Sequence, residues 1–218
     1  VQANYTTDKM NLYGMGGVSQ IEYSYQDHFT VEDEVIKADP ITTMQVKGGA
    51  MYDVNDDMSV FFNTGMVEKA PIMDNVIYYD GTVATDPSNE KFLHNEFGVN
   101  YRFGKLGLNA SAYNTDWQDR NLTKSVTTGQ GSSGDTDIIF LTGVNQKHSG
   151  VELETNYMVN DMLDLMFVAS FGNWKFDGDA DGTYQETEYN SEGQAVGFKT
   201  TEYAYALDGL YVGDMPQT

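Results

Sequence analysis

A chain of 218 residues carries 12 Lys+Arg against 33 Asp+Glu, a formal net charge of −21, which excludes a general nucleic-acid surface because neutralising phosphates takes many cations. Its 15 tyrosines, 11 phenylalanines and 22 glycines against 4 prolines are the usage of an all-β chain. With no cysteine there is neither a disulfide framework nor a thiolate metal site, and the longest apolar stretch, Leu165 to Ala169, is far short of the roughly 20 residues of a membrane helix.

Period-two alternation marks strands at 1–5, 10–26, 42–52, 58–68, 93–103, 106–117, 144–158, 163–176 and 198–213. No leader pattern precedes the first, and GDMPQT after the last reads as a turn into another element, so the chain reads as a piece of a longer polypeptide. Connections alternate between short (6–9, 53–57, 104–105, 159–162) and long (27–41, 69–92, 118–143, 177–197). Strands joined this way form an up-and-down antiparallel meander, with tight turns on one rim and long loops on the other.

Segment 95–103 places Phe97, Val99, Tyr101 and Phe103 on one face and Glu96, Gly98, Asn100 and Arg102 on the other. Segment 150–157 likewise separates Val151, Leu153, Thr155 and Tyr157 from Gly150, Glu152, Glu154 and Asn156. The greasy face meets a second sheet in a soluble sandwich, or lipid in a membrane barrel whose polar face lines a wet interior. Segment 163–176 is apolar on both faces near its middle, and its facing stays open.

A tyrosine just ahead of a short turn recurs at Tyr5, Tyr52, Tyr101 and Tyr157, every 47 to 56 residues. There a ring can sit at headgroup level with its hydroxyl in water. Tyr113, Trp117 and Trp174, near the opposite strand ends, are expected to make a second belt, matching an apolar thickness of about 25 Å. Repeats of this length also mark β-propellers, whose blades fit four short strands into one repeat. Each repeat here has room for two long strands and a long loop, so the expectation is a portion of a transmembrane β-barrel. The alternative is a soluble, propeller-like binding or adhesive protein.

GGAMYDVNDDMSVFFNTGMVEKAPIMDNVIYYD, EFGVNYRFGKLGLNASAYNTDWQDR and GVNQKHSGVELETNYMVNDMLDLMFVASFGNWKF, in this order, resemble consecutive hairpins from the barrel of a TonB-dependent outer-membrane receptor of the Bacteroidetes kind. SGVELETNY and LNASAYNTDWQDR are the most specific parts, and the likeness covers nearly the whole chain, more weakly before residue 40. The resemblance implies a barrel of about 22 strands around a plug domain, energised by TonB through a box near the N-terminus. Residues 1–218 would be a central part of that barrel, with the plug and the C-terminal strands outside it. The intact protein is then expected in a bacterial outer membrane, touching its lipid and reaching the TonB complex through the plug. Its cargo would be a scarce, bulky nutrient: an iron–siderophore complex first, cobalamin or an oligosaccharide next. No nucleophile–base–acid arrangement is visible, so an enzyme is not expected.

The sharpest local motif is DGDADGTYQETE at 177–188. Asp177, Asp179, Asp181, Thr183 and Glu188, with Gly182 at the turn, have the spacing of an EF-hand calcium loop. A strand precedes it and no helix follows, so a hydrated acidic loop tip is the favoured reading and calcium the alternative. GQGSSG at 129–134 satisfies a glycine-rich nucleotide pattern without a following helix, and the sequon Asn121-Leu-Thr123 is equally unspecific. His28, His94 and His148 fall near the long-loop rim, where polar lining is the ordinary role and capture of haem or a metal the sharper one. Glu96, Asn100, Arg102, Glu152, Glu154 and Asn156 are expected to face the lumen, and the resemblance implies that loops 69–92 and 118–143 share cargo selection with the plug and the upper lumen.

Overall fold

The structure, a computed structural model, describes residues 1–26, 35–78, 81–127, 136–193 and 195–213. Its strands are β1 (Gln2–Thr6), β2 (Met10–Ile21), β3 (Ser24–Gln26), β4 (Val35–Lys37), β5 (Ile41–Asn55), β6 (Met58–Lys69), β7 (Glu90–Phe103), β8 (Leu106–Thr127), β9 (Thr136–Asn160), β10 (Leu163–Phe176), β11 (Ala180–Tyr189) and β12 (Ala195–Tyr205). Among the described residues the helical content is one short 3-10 turn at Met73–Asn75. Ten strands form one continuous sheet in the order β1-β2-β5-β6-β7-β8-β9-β11-β12, with β10 also on β9, while β3 and β4 make a separate hairpin. A propeller would break into four-stranded blades; this unbroken antiparallel meander is the architecture of a barrel wall.

Directly paired residues in an antiparallel sheet share a face, so the register fixes sidedness. Tyr101 pairs with Met58 and Leu108, Tyr52 with Met10 and Val60, Tyr157 with Leu106 and Leu165, and Tyr5 with Leu12. All four recurrent tyrosines therefore lie on the apolar face at the short-turn rim. Above them that face is apolar from Tyr52 to Met44, and from Tyr101 to Leu93 except at Asn95, which accepts from the Thr64 hydroxyl beside it (2.8 Å), before turning polar at Thr42 and Lys91. This is the reach of a tilted membrane strand of about 9–11 residues. Register also settles 163–176: Leu165, Phe167, Ala169 and Phe171 share the apolar face, and Met166, Val168 and Ser170 stand beside Asn156, Glu154 and Glu152.

The second aromatic belt is not where the sequence suggested. Tyr113 pairs with Glu96 and Gly150, Trp117 with Phe92 and Gln146, and Trp174 with His148. These rings belong to the polar face. Two grooves open on that face, which is the concave, inward side of a barrel wall.

The long-loop rim is more ordered than alternation implies. β8 runs on to Thr127 and β9 begins at Thr136, because register shifts between Trp117 and Arg120 and between Arg120 and Leu122 break the period-two signal at the points where the expected strands stop. Each such bulge turns the following side chains onto the other face. The expected loop 177–197 is likewise mostly strand: β11 pairs with β12 and with the upper half of β9. Beyond β12 the chain returns to β10, with the Phe176 amide donating to Leu210 and the Val212 amide to Trp174. The expected last strand, 198–213, is thus broken after Tyr205.

A single sheet open on both faces has no interior. The buried hydrophobic residues among those described are Val76, Ile77, Val144, Ala180 and Val212, all at the long-loop rim. There the Tyr23 hydroxyl donates to the Pro71 carbonyl (2.8 Å), tying the β2–β3 connection to the 70–89 loop.

Candidate functional site

The concave face of β7 to β10 brings together Phe92, His94, Tyr113, Trp117, His148 and Trp174, which are spread over residues 92–174 of the sequence. His94 and His148 flank Thr115 on adjacent strands, since Thr115 pairs with both. The Thr115 hydroxyl lies 2.7 Å from His94 Nδ1, and His94 stacks on Tyr113 at 6.5 Å. The Trp174 indole donates to the Tyr113 hydroxyl (3.0 Å), and His148 sits between Trp117 and Trp174 at 6.4 and 6.1 Å. His28 and the GQGSSG motif at 129–134 lie outside the described residues.

Two small residues let the large rings lie flat. A Cβ on Gly172 would stand 2.6 Å from the Trp174 ring, and one on Gly150 would stand 2.7 Å from the Tyr113 hydroxyl. Glycine is therefore the floor on which each ring rests. The same device places Tyr13 over Gly49 and Phe61 over Gly98.

At the upper end Trp117 is clamped. Phe92 lies 4.5 Å away on its ring, the Arg120 guanidinium stands 4.0 Å over it, and its N–H donates to Glu90 (3.1 Å). The Glu90 carboxylate, nearly fully buried, also takes both contacts from Lys69 Nζ at 3.2 and 3.3 Å. Arg120 reaches the face of Trp117 because of the bulge at 118–119, where Asp119 adopts a left-handed φ of 56° and its amide is capped by Asn145 (3.0 Å). Arg120 Nη1 and His148 Nε2 both approach Gln146 Oε1, at 3.2 and 3.0 Å.

Lower on the same face runs an amide ladder. Tyr13 donates to Asn63 (3.1 Å), Asn63 to Glu96 (3.0 Å), and Asn109 to Asn100 (2.8 Å), while Asn156 donates to Glu154 (3.2 Å). Glu96, Asn100, Arg102, Glu152, Glu154 and Asn156 all share this concave face. Two open grooves cut it. One of about 590 Å³ is lined by Asn4, Asn11, Asn63 and Asn100 with Met51 and Phe61; the other, about 500 Å³, holds His94.

The acidic motif does not close into a loop. Asp177 pairs with Lys147 at 2.7 Å. Asp179 Oδ1 accepts the Leu207 and Asp208 amides at 3.0 and 3.1 Å, while Asp208 accepts the Gly178 amide at 3.0 Å, so these carboxylates hold the turn at the foot of the β11–β12 hairpin. Asp181, Thr183 and Glu188 are in β11, where alternation turns Asp181 and Thr183 to one face and Glu188 to the other. Among the described residues no three His, Cys, Asp or Glu side chains are grouped to hold a metal ion. The five residues Asp177, Asp179, Asp181, Thr183 and Glu188 are thus not brought together, and the spacing alone carries the calcium reading. Asn121 of the sequon lies within β8.

A family model described as TonB dependent receptor-like, beta-barrel matches residues 1–214. No curated protein matches the sequence. Among solved structures, the copper transporter OprC is similar with a TM-score of 0.55 and 15% identity, over 93% of this chain and 37% of that one. At that identity the likeness is one of fold, and the chain spans little more than a third of the transporter's length.

Proposed function

The chain belongs to the TonB-dependent receptor-like β-barrel family, and from that premise we propose that it is part of the barrel of an outer-membrane receptor. In this reading the receptor imports a scarce, bulky nutrient, an iron chelate of the siderophore kind, with energy from the TonB complex acting through a plug domain outside residues 1–218. The observation that carries it is the sidedness of the wall. One face is predominantly apolar over a lipid-spanning length, and the other bears hydrogen-bonded amides, carboxylates and flat rings around open grooves, as a water-filled lumen with a cargo surface requires. The partners are then outer-membrane lipid on the convex side and plug and cargo on the concave side.

The likeness to a copper transporter is of fold, so copper enters as an arm of the test. A strain lacking the whole gene is grown on single iron sources (ferric trihydroxamate, ferric tricatecholate, ferric porphyrin) and, separately, under copper limitation. Loss of growth on at least one iron source, restored by the gene, is the expected result. Growth equal to the parent on every iron source overturns the iron reading, and a defect confined to copper limitation replaces it with copper.

A further inference from the structure

The lipid face of the wall carries a polar couple inside its apolar span. Thr64 on β6 and Asn95 on β7 are directly paired, and the Thr64 hydroxyl donates to Asn95 Oδ1 at 2.8 Å. Below them the next pair on that face is Phe62 with Phe97, and above them Met66 with Leu93; all four of these side chains are exposed. On β8 the same row continues as Asn114, with Asp116 above it, so there the row ends the apolar span, whereas on β6 and β7 it lies within it.

The bond between the couple uses the hydroxyl proton and one lone pair of Oδ1. Both N–H groups of the Asn95 carboxamide and a second lone pair remain, and among the described residues Asn95 Nδ2 makes no hydrogen bond. Gly48, on the other side of Thr64, has no side chain to cover the couple, and even an added Cβ there would meet only the Tyr13 carbonyl at 3.4 Å. An acyl chain offers no acceptor, and an unpaired amide in hydrocarbon is costly. Polar groups at such depth mark contacts between membrane-embedded proteins.

We propose that this patch is an isologous contact between two copies of the receptor in the plane of the membrane, centred on Asn95. A carboxamide holds donor and acceptor in one plane, so two of them related by a two-fold axis complement each other and close a pair of N–H···O bonds. Phe62, Phe97, Met66 and Leu93 frame that pair with apolar surface and exclude other partners from it. An axis along the membrane normal keeps both copies at one depth and the two Asn95 side chains at one level. This contact requires that the face lie in lipid, as read above, and is independent of the cargo.

Residues 1–218 contain no cysteine, so an added one reports position, and in a two-fold contact a residue meets its own copy only near the axis. The intact receptor carrying Phe97→Cys is treated in its native membrane with a lipid-soluble bis-maleimide, and the receptor without the added cysteine sets the background. A crosslinked homodimer is expected. Phe167→Cys, on the same face but three strands away on β10, is expected to give background only. Adding Asn95→Leu to Phe97→Cys, a change that suits lipid, should lower the crosslinked fraction by about fivefold. Absence of the homodimer, equal crosslinking from Phe167→Cys, a yield indifferent to Asn95→Leu, or a product with a different protein alone overturns the contact. Labelling of Phe97→Cys by a water-soluble maleimide overturns the lipid-side reading of the face as well, which separates failure of the barrel wall from failure of the contact.

Discussion

Glu90 shows how a single buried carboxylate organises the wall. Lys69 keeps about half its side chain in water, so its ion pair is screened and contributes little. The bond from the Trp117 indole is shielded and holds that ring between Phe92 and Arg120. Glu90→Ala removes the acceptor of both groups and should lower stability by about 1–3 kcal/mol. Glu90→Gln, which keeps an acceptor for the indole, should lose clearly less. Denaturant unfolding of the intact receptor followed by tryptophan emission measures both, and equal losses would mean that charge, not the indole bond, is what Glu90 supplies. The glycine floors make a second residue-scale prediction: Gly172→Val forces the Trp174 ring off the wall, whereas substitution at Gly14, where an added Cβ meets nothing within 4 Å, should be tolerated.

At the scale of elements, the β11–β12 hairpin is fastened to β9 through Asp137, which is almost fully buried and accepts from the Tyr184 hydroxyl and the Thr187 amide. Tyr184→Phe deletes one of these donors. The expected result is faster proteolytic nicking of the exposed turn at 190–193 with the barrel band unchanged on a gel; an unchanged nicking rate would show that backbone pairing alone holds the hairpin. The same hairpin explains the acidic motif. Asp179 is committed to two amides, so calcium titration of wild type and Asp179→Ala should give matching heats. A saturable heat in the wild type that the variant lacks would return residues 177–188 to a calcium-loop reading. Strand β11 is not legible as alternation because its polar faces, DGTYQETE, carry no apolar stripe, and in β8 and β9 the period-two pattern ends early because each bulge reverses its parity.

For the whole molecule, sidedness is the property that function depends on. Phe167 pairs with Thr155 on the lipid side and Val168 with Glu154 on the lumen side, although both are exposed and apolar. Phe167→Arg should cost about 2–4 kcal/mol near the bilayer midplane, while Val168→Arg, set beside a carboxylate in water, should cost little. Unfolding of the receptor in lipid vesicles compares the two. Equal costs would mean that the strand is slipped by one residue or that the lumen is dry. The sequence by itself determined the meander, the apolar span and the belt of Tyr5, Tyr52, Tyr101 and Tyr157, because each of these is written in local alternation and in the distance between turns. Only the tertiary structure decided the rest. It turned Tyr113, Trp117 and Trp174 inward, brought His94 and His148 to either side of Thr115, and carried Arg120 over Trp117. It also spread the five residues of the acidic motif over a turn and two faces of a strand. Those outcomes depend on register between strands and on bulges within them, and a shift of one residue, invisible in composition, moves a side chain from lipid to lumen.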